Sequence, residues 1–169
     1  AAKPVPLGDL TAVRSSSGAA WAQGGRSLVV SPNLTGRYNI WRVDRGANFP
    51  AQITTSNETQ TPADVTRDGL ILYLQDNGGD ELFDIYAVPL AGGAVTNLTG
   101  TPEIAEYEPR LTPDEAAIVF GRRTKPGTIV DLAVMDRATA KARQLTQESD
   151  PSRQWSVAGF TDGGRTLIA

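Results

Sequence analysis

A repeat of mid-forties length constrains this chain more than any other feature. A Leu/Ile-Thr pair recurs at Leu10-Thr11, Ile53-Thr54, Leu98-Thr99 and Leu145-Thr146, in steps of 43, 45 and 47 residues. A strand pattern keeps register with it: Asn39-Ile40-Trp41-Arg42-Val43, Asp84-Ile85-Tyr86-Ala87-Val88 and Asp131-Leu132-Ala133-Val134-Met135, in steps of 45 and 47. A turn recurs too, at Gly24-Gly25, Asp68-Gly69, Asp114-Glu115 and Gly163-Gly164, its second residue stepping by 44, 46 and 49. Markers that share one drifting period specify a repeated supersecondary unit.

The unit is clearest over Thr61 to Thr99. Four short apolar runs are separated there by Arg67-Asp68-Gly69, by Asp76-Asn77-Gly78-Gly79-Asp80 and by Gly92-Gly93. Asp-Gly and Gly-Gly between β-branched or aromatic runs signal tight hairpins, because such turns need positive φ. Four strands in a meander at this period make a propeller blade. The expected fold is therefore all-β, an incomplete propeller of four-stranded antiparallel blades. Its parts are a lead-in over 1–11, blades over 12–54, 55–99 and 100–146, and a partial blade over 147–169. The innermost strands should end near Trp21, Val65, Leu111 and Phe160, with those four residues buried between blades. Helix is limited to one turn between Pro102 and Glu108. Glu115 stands where the other units place glycine, so that turn needs a strained left-handed residue or another turn type.

Composition narrows the chemistry. Of 169 residues, 40% are hydrophobic and 21% charged, as in globular proteins, and no apolar run approaches the ~20 residues of a membrane helix. A net charge of −3 offers nucleic acid no electrostatic surface. The chain contains neither cysteine nor histidine. That removes disulfides, thiolate metal sites, Ser-His-Asp and Cys-His catalysis and HExxH zinc sites. No catalytic residue, cofactor or metal is expected within the chain. The start, Ala1-Ala2-Lys3-Pro4, fits a mature end left after small-residue cleavage, which points to a periplasmic or secreted protein.

Individual residues invite sharper readings. Asp76 to Glu81 has the acidic density of a calcium loop without its spacing, and reads as a hairpin loop. The glycosylation sequons at Asn33, Asn57 and Asn97 include one that falls on the repeated strand end, as coincidence would place it. Asp64 and Arg110 hold the same position on the innermost strands of neighbouring blades. They are candidates to line the central channel and steer a peptide, or else are paired structural groups. Arg122-Arg123-x-Lys125 reads as a solvated basic turn, and Trp41, Tyr86 and Tyr38 as core or rim.

These blades resemble those of the prolyl oligopeptidase family and the related Tol-system propellers. The residues that carry the resemblance are Thr66-Arg67-Asp68-Gly69, Thr112-Pro113-Asp114, Asp84 to Pro89 with Gly92-Gly93, and Asn33 to Trp41. The resemblance implies a propeller that caps an α/β-hydrolase domain, screens its serine triad and admits short peptides. No G-x-S-x-G elbow occurs in this sequence, so the chemistry would lie outside this chain. The implied partners are a downstream hydrolase domain or the remaining blades, and peptide substrates. The isolated piece should associate, because an incomplete propeller leaves blade faces uncovered. A non-catalytic Tol-like propeller that presents loops to proteins is the other reading, since fold alone does not decide function.

Overall fold

Each repeat folds into one antiparallel sheet, and the computed structural model describes residues 14–169. The lead-in expected over 1–11 lies outside the described residues. The first sheet runs β1 (Ser16–Ala22), β2 (Ser27–Pro32), β3 (Trp41–Asp44) and β4 (Ala51–Gln52). The second runs β5 (Gln60–Val65), β6 (Leu70–Gln75), β7 (Asp84–Pro89) and β8 (Thr96–Asn97). The third runs β9 (Ile104–Leu111), β10 (Ala117–Thr124), β11 (Asp131–Asp136) and β12 (Lys141–Gln144). A two-stranded sheet follows, β13 (Gly159–Thr161) with β14 (Thr166–Ile168). Strands pair in sequence order within every sheet, and the inner strands β1, β5 and β9 pack on one another. This is β-propeller architecture.

The apolar run Leu70 to Leu74 is continuous because its strand is buried on both faces. Ile71 and Tyr73 join Ala22, Val29, Ile40 and Val88 in the core between the first and second blades. Leu72 and Leu74 turn the other way, into a core with Ile85, Leu111, Ile118, Phe120 and Met135. The outermost strands are short and exposed, and the longest of them is Lys141-Ala142-Arg143-Gln144. Charge on an edge strand discourages further pairing.

The repeated Leu/Ile-Thr pair has a hydrogen-bonding cause. In each full blade the threonine hydroxyl accepts the backbone N–H of the third-strand residue: Ile40 to Thr54 at 2.9 Å, Ile85 to Thr99 at 3.0 Å and Leu132 to Thr146 at 2.8 Å. The residue preceding that N–H, Asn39, Asp84 or Asp131, accepts from the backbone N–H of Ser56, Thr101 or Glu148. The next inner strand is then joined to the same place. Gln60, Glu106 and Trp155 donate their N–H to the carbonyls of Tyr38, Phe83 and Val130 at 2.9, 2.7 and 3.1 Å.

Some expectations change. Val65 and Leu111 join the inter-blade cores and Phe160 is half-buried, but Trp21 is 68% exposed. Trp21 pairs with Leu28, and Leu28 with Val43, on the face of the first blade turned away from the second. No other described blade packs on that face. The turn expected between Pro102 and Glu108 is mostly strand, because Ile104 to Tyr107 pair with Gly121 to Thr124 of β10. The only helical segments among the described residues are 3₁₀ turns at Gln23–Gly25 and Asp162–Gly164. Asp76 to Asp80 lies in the connection from β6 to β7, where Asp80 Oδ1 accepts the N–H of Leu82 at 2.9 Å. Asn97, the third sequon asparagine, uses its side-chain oxygen to accept the N–H groups of Thr99 and Gly100.

Glu115 adopts φ 60, the left-handed conformation. Its carboxylate accepts the Arg67 N–H at 2.9 Å in the turn of the preceding blade. Arg67 Nη2 donates to Pro113 O at 2.8 Å, and Arg137 Nη1 donates to Glu115 O at 2.8 Å while Nη2 reaches Asp68 at 3.2 Å. The strained residue thus ties two blades together through its side chain.

Two outcomes test this packing by urea unfolding. Phe120→Ala should cost about 3–5 kcal/mol, as for other buried aromatic truncations. Glu115→Ala keeps the strained backbone and loses the bridge, so it should cost about 1 kcal/mol. Glu115→Gly should be the more stable of the two Glu115 variants by roughly 1 kcal/mol, because glycine relieves the positive φ.

Candidate functional site

All three inner strands carry a register shift: between Ser16 and Ala19 in β1, between Pro62 and Asp64 in β5, and opposite Val119 to Gly121 in β9. A bulge re-aims the side chains around it. In β9 the irregularity places Glu108 at φ 47, an exposed carboxylate in a conformation unusual for a side-chain-bearing residue. Arg110 lies two residues further on and is also exposed.

Asp64 and Arg110 are equivalent in position and different in environment. Asp64 pairs with Leu72 and Arg110 with Val119. The Asp64 carboxylate caps its own strand end at Val65 N (2.9 Å) and reaches across to Leu111 N of the next blade (3.2 Å). Arginine has no acceptor atom and cannot repeat that bond. Among the described residues no ion pair joins Asp64 to Arg110.

A groove of about 550 Å³ opens beside Arg110's strand, lined by Tyr107, Glu108, Gly121, Arg123, Trp155 and Ser156. Its shape depends on Gly121, where a Cβ would stand 2.9 Å from Val130 Cγ1 and 3.3 Å from Tyr107 Cβ. Arg123 donates from Nε to the Tyr107 hydroxyl at 2.8 Å and from Nη1 to Gly127 O at 3.2 Å, with its guanidinium 5.8 Å from the Tyr107 ring centre. The basic run is therefore not uniformly solvated, since Arg123 is held against an aromatic ring. Two aromatic rings, a fixed guanidinium and a free carboxylate suit binding of an extended polar chain. With no histidine in the sequence, nothing of that kind activates Ser156 as a nucleophile. Among the described residues no group of three acidic side chains is placed to hold a metal ion. None of their helices is long and apolar enough to cross a membrane.

Sequence reasoning missed Glu106, a fully buried carboxyl on the inner strand of the third blade. Its Oε1 accepts the Thr101 hydroxyl at 2.6 Å, and Oε2 lies 3.2 Å from the Thr99 hydroxyl. Burial, the largest influence, pushes its pKa up to about 7. The signal was available, because Glu106 follows Gln60 by 46 residues, within the repeat. It was hidden by the expectation of a helical turn between Pro102 and Glu108, where the structure has strand.

No family model matches the sequence. A curated protein, dipeptidyl aminopeptidase BIII from Pseudoxanthomonas mexicana, is 31% identical over 99 residues, which are 57% of this chain and 14% of that protein's length. TolB from Acinetobacter baumannii superposes with a TM-score of 0.62 at 20% identity, over 79% of this chain and 33% of that one. A puromycin hydrolase superposes with a TM-score of 0.63 at 21% identity, over 82% of this chain and 22% of that one. The chain thus corresponds to a minor part of each. The resemblance carried by the blade motifs recurs in sequence and in structure: the chain is a stretch of β-propeller similar to those of the prolyl oligopeptidase family and of TolB.

Proposed function

We propose that this chain is part of the gating propeller of a prolyl oligopeptidase-family serine peptidase that cleaves short peptides. The observation that carries the reading is the 31% identity with a dipeptidyl aminopeptidase over 99 residues of blade sequence. The catalytic triad then belongs to an α/β-hydrolase domain outside these residues. The uncovered face at Trp21 and Val43 is covered by the rest of that protein, as an exposed apolar sheet face requires. Arg110, exposed on an inner strand, lines the channel. Asp64 joins it there through its strand position, while its carboxylate fastens Leu111. The protein works in the periplasm or outside the cell.

The TolB superposition supports a second reading, a non-catalytic propeller that holds protein partners on its loops. Labelling the whole protein with a fluorophosphonate and assaying short chromogenic peptides separates the two. The peptidase reading predicts labelling at a G-x-S-x-G serine, hydrolysis of di- to oligopeptides and folded proteins left uncut. An unlabelled, inactive whole protein with no such elbow would leave the partner-binding propeller in its place. In an active protein, Arg110→Glu should lower kcat/KM for acidic peptides several-fold and change neutral dipeptides little, by loss of electrostatic steering.

A further inference from the structure

The junction between the second and third blades carries a hydrogen-bond arrangement that needs one more proton than its ionised groups hold. Thr99 Oγ1 accepts the Ile85 N–H at 3.0 Å, and lies 3.1 Å from Asp84 Oδ1 and 3.2 Å from Glu106 Oε2. A hydroxyl has one proton and two acceptor positions. It can donate to one carboxylate only, so the other must bring its own proton to its remaining lone pair. Asp84 Oδ1 also accepts the Thr101 N–H at 3.2 Å, and its Oδ2 accepts from Asn97 at 2.8 Å. Glu106 is fully buried, and its other oxygen accepts only the Thr101 hydroxyl. The proton therefore belongs on Glu106 Oε2, donated to Thr99, which donates in turn to Asp84.

The other junctions lack this demand. At the first, Asn39 and Gln60 occupy the places of Asp84 and Glu106, and both are neutral. At the third, Thr146 meets the Asp131 carboxylate alone, because Trp155 occupies the place of Glu106. The charged groups that face Glu106 are Asp84 from β7, which opposes its ionisation, and Arg122 from β10, its cross-strand partner, which favours it.

We propose that Glu106 is a proton-binding latch that holds the second and third blades together in its protonated form and loosens their junction when it ionises. This inference is independent of the peptidase reading. Its direction in pH follows from the raised pKa, about 7 in the folded protein against 4.5 in the free group. The stabilisation is fully present below 4.5 and is lost as pH rises towards 7. The acidic groups held below their ordinary range, among them Asp68 and Asp114, titrate beneath that window.

The test is urea unfolding between pH 4.5 and 8, with ¹³C titration of the Glu106 carboxyl carbon in the same protein. The native protein should lose roughly a hundredfold in its folding constant across that window. Glu106→Gln should lack that loss, since Gln60 shows that a carboxamide fits the place. A Gln variant with the same pH dependence, or a Glu106 carboxyl that titrates near 4.5, overturns the proposal. Should the Gln variant not fold, Asp84→Asn decides: the Glu106 titration should move to lower pH, and an unmoved titration overturns the latch.

Discussion

The architecture depends on one shared hydroxyl per blade. A four-stranded blade is apolar on both faces and gains stability only when its neighbours cover it. Hydrophobic contact is non-directional and would tolerate many angles between sheets. The threonine at the end of each repeat removes that freedom. Its hydroxyl takes the N–H at the start of the third strand, and the adjoining Asn or Asp takes the N–H of the departing loop. The next inner strand is then bonded to the carbonyl two residues before that third-strand N–H. One small side chain thus sets where a blade ends and where its successor begins.

Around that fixed frame the junctions differ in ways that bear on function. The first is neutral, with Asn39 and Gln60 beside Thr54. The second places Asp84 and Glu106 on one threonine. The turn ends of the second and third blades are also bridged by Arg67, Glu115 and Arg137. Glu115 and Arg137 are half-buried and Arg67 is exposed, so the bridge adds a modest stabilisation and sets the angle between the two turns. At the third junction Gly121 lies opposite Tyr107, and a groove runs to Trp155. The groups on which the proposed peptide binding would rest are on the third blade, where the inner strand presents Glu108 and Arg110 and the second strand presents Arg123.

Much of the fold was legible in the sequence, because the threonine latch at each blade end and the turn both demand particular residue types. Thr54, Thr99 and Thr146 repeat since only a hydroxyl both accepts and donates in that space, and Gly69 recurs at positive φ because of its turn. Trp21 was misplaced since its pattern matches Val65 and Leu111, while burial depends on what covers the outer face. Glu106 was missed because a carboxyl inside a strand looks like surface until its neighbours are known. Glu115 looked like a defect in the turn. Its use lies in a contact 48 residues away, which no local pattern carries. The site was less legible than the fold for the same reason: Asp64 and Arg110 share a repeat position, and their roles diverge through partners on other blades.

The central claim is that the threonine latch, rather than apolar contact alone, fixes blade to blade. Urea unfolding of Thr54→Val tests it most directly, since valine keeps the shape and removes only the hydroxyl. The Ile40 N–H and the Gln60 side-chain oxygen would lose the group that Thr54 supplies to both, and would keep only their longer 3.4 Å contact with each other. The latch predicts a loss of about 1–3 kcal/mol, the cost of unsatisfied buried polar groups, against a change within about 0.5 kcal/mol for the exposed Thr35→Val. Equal stability of the two variants would contradict the account and leave the blades held by their apolar faces.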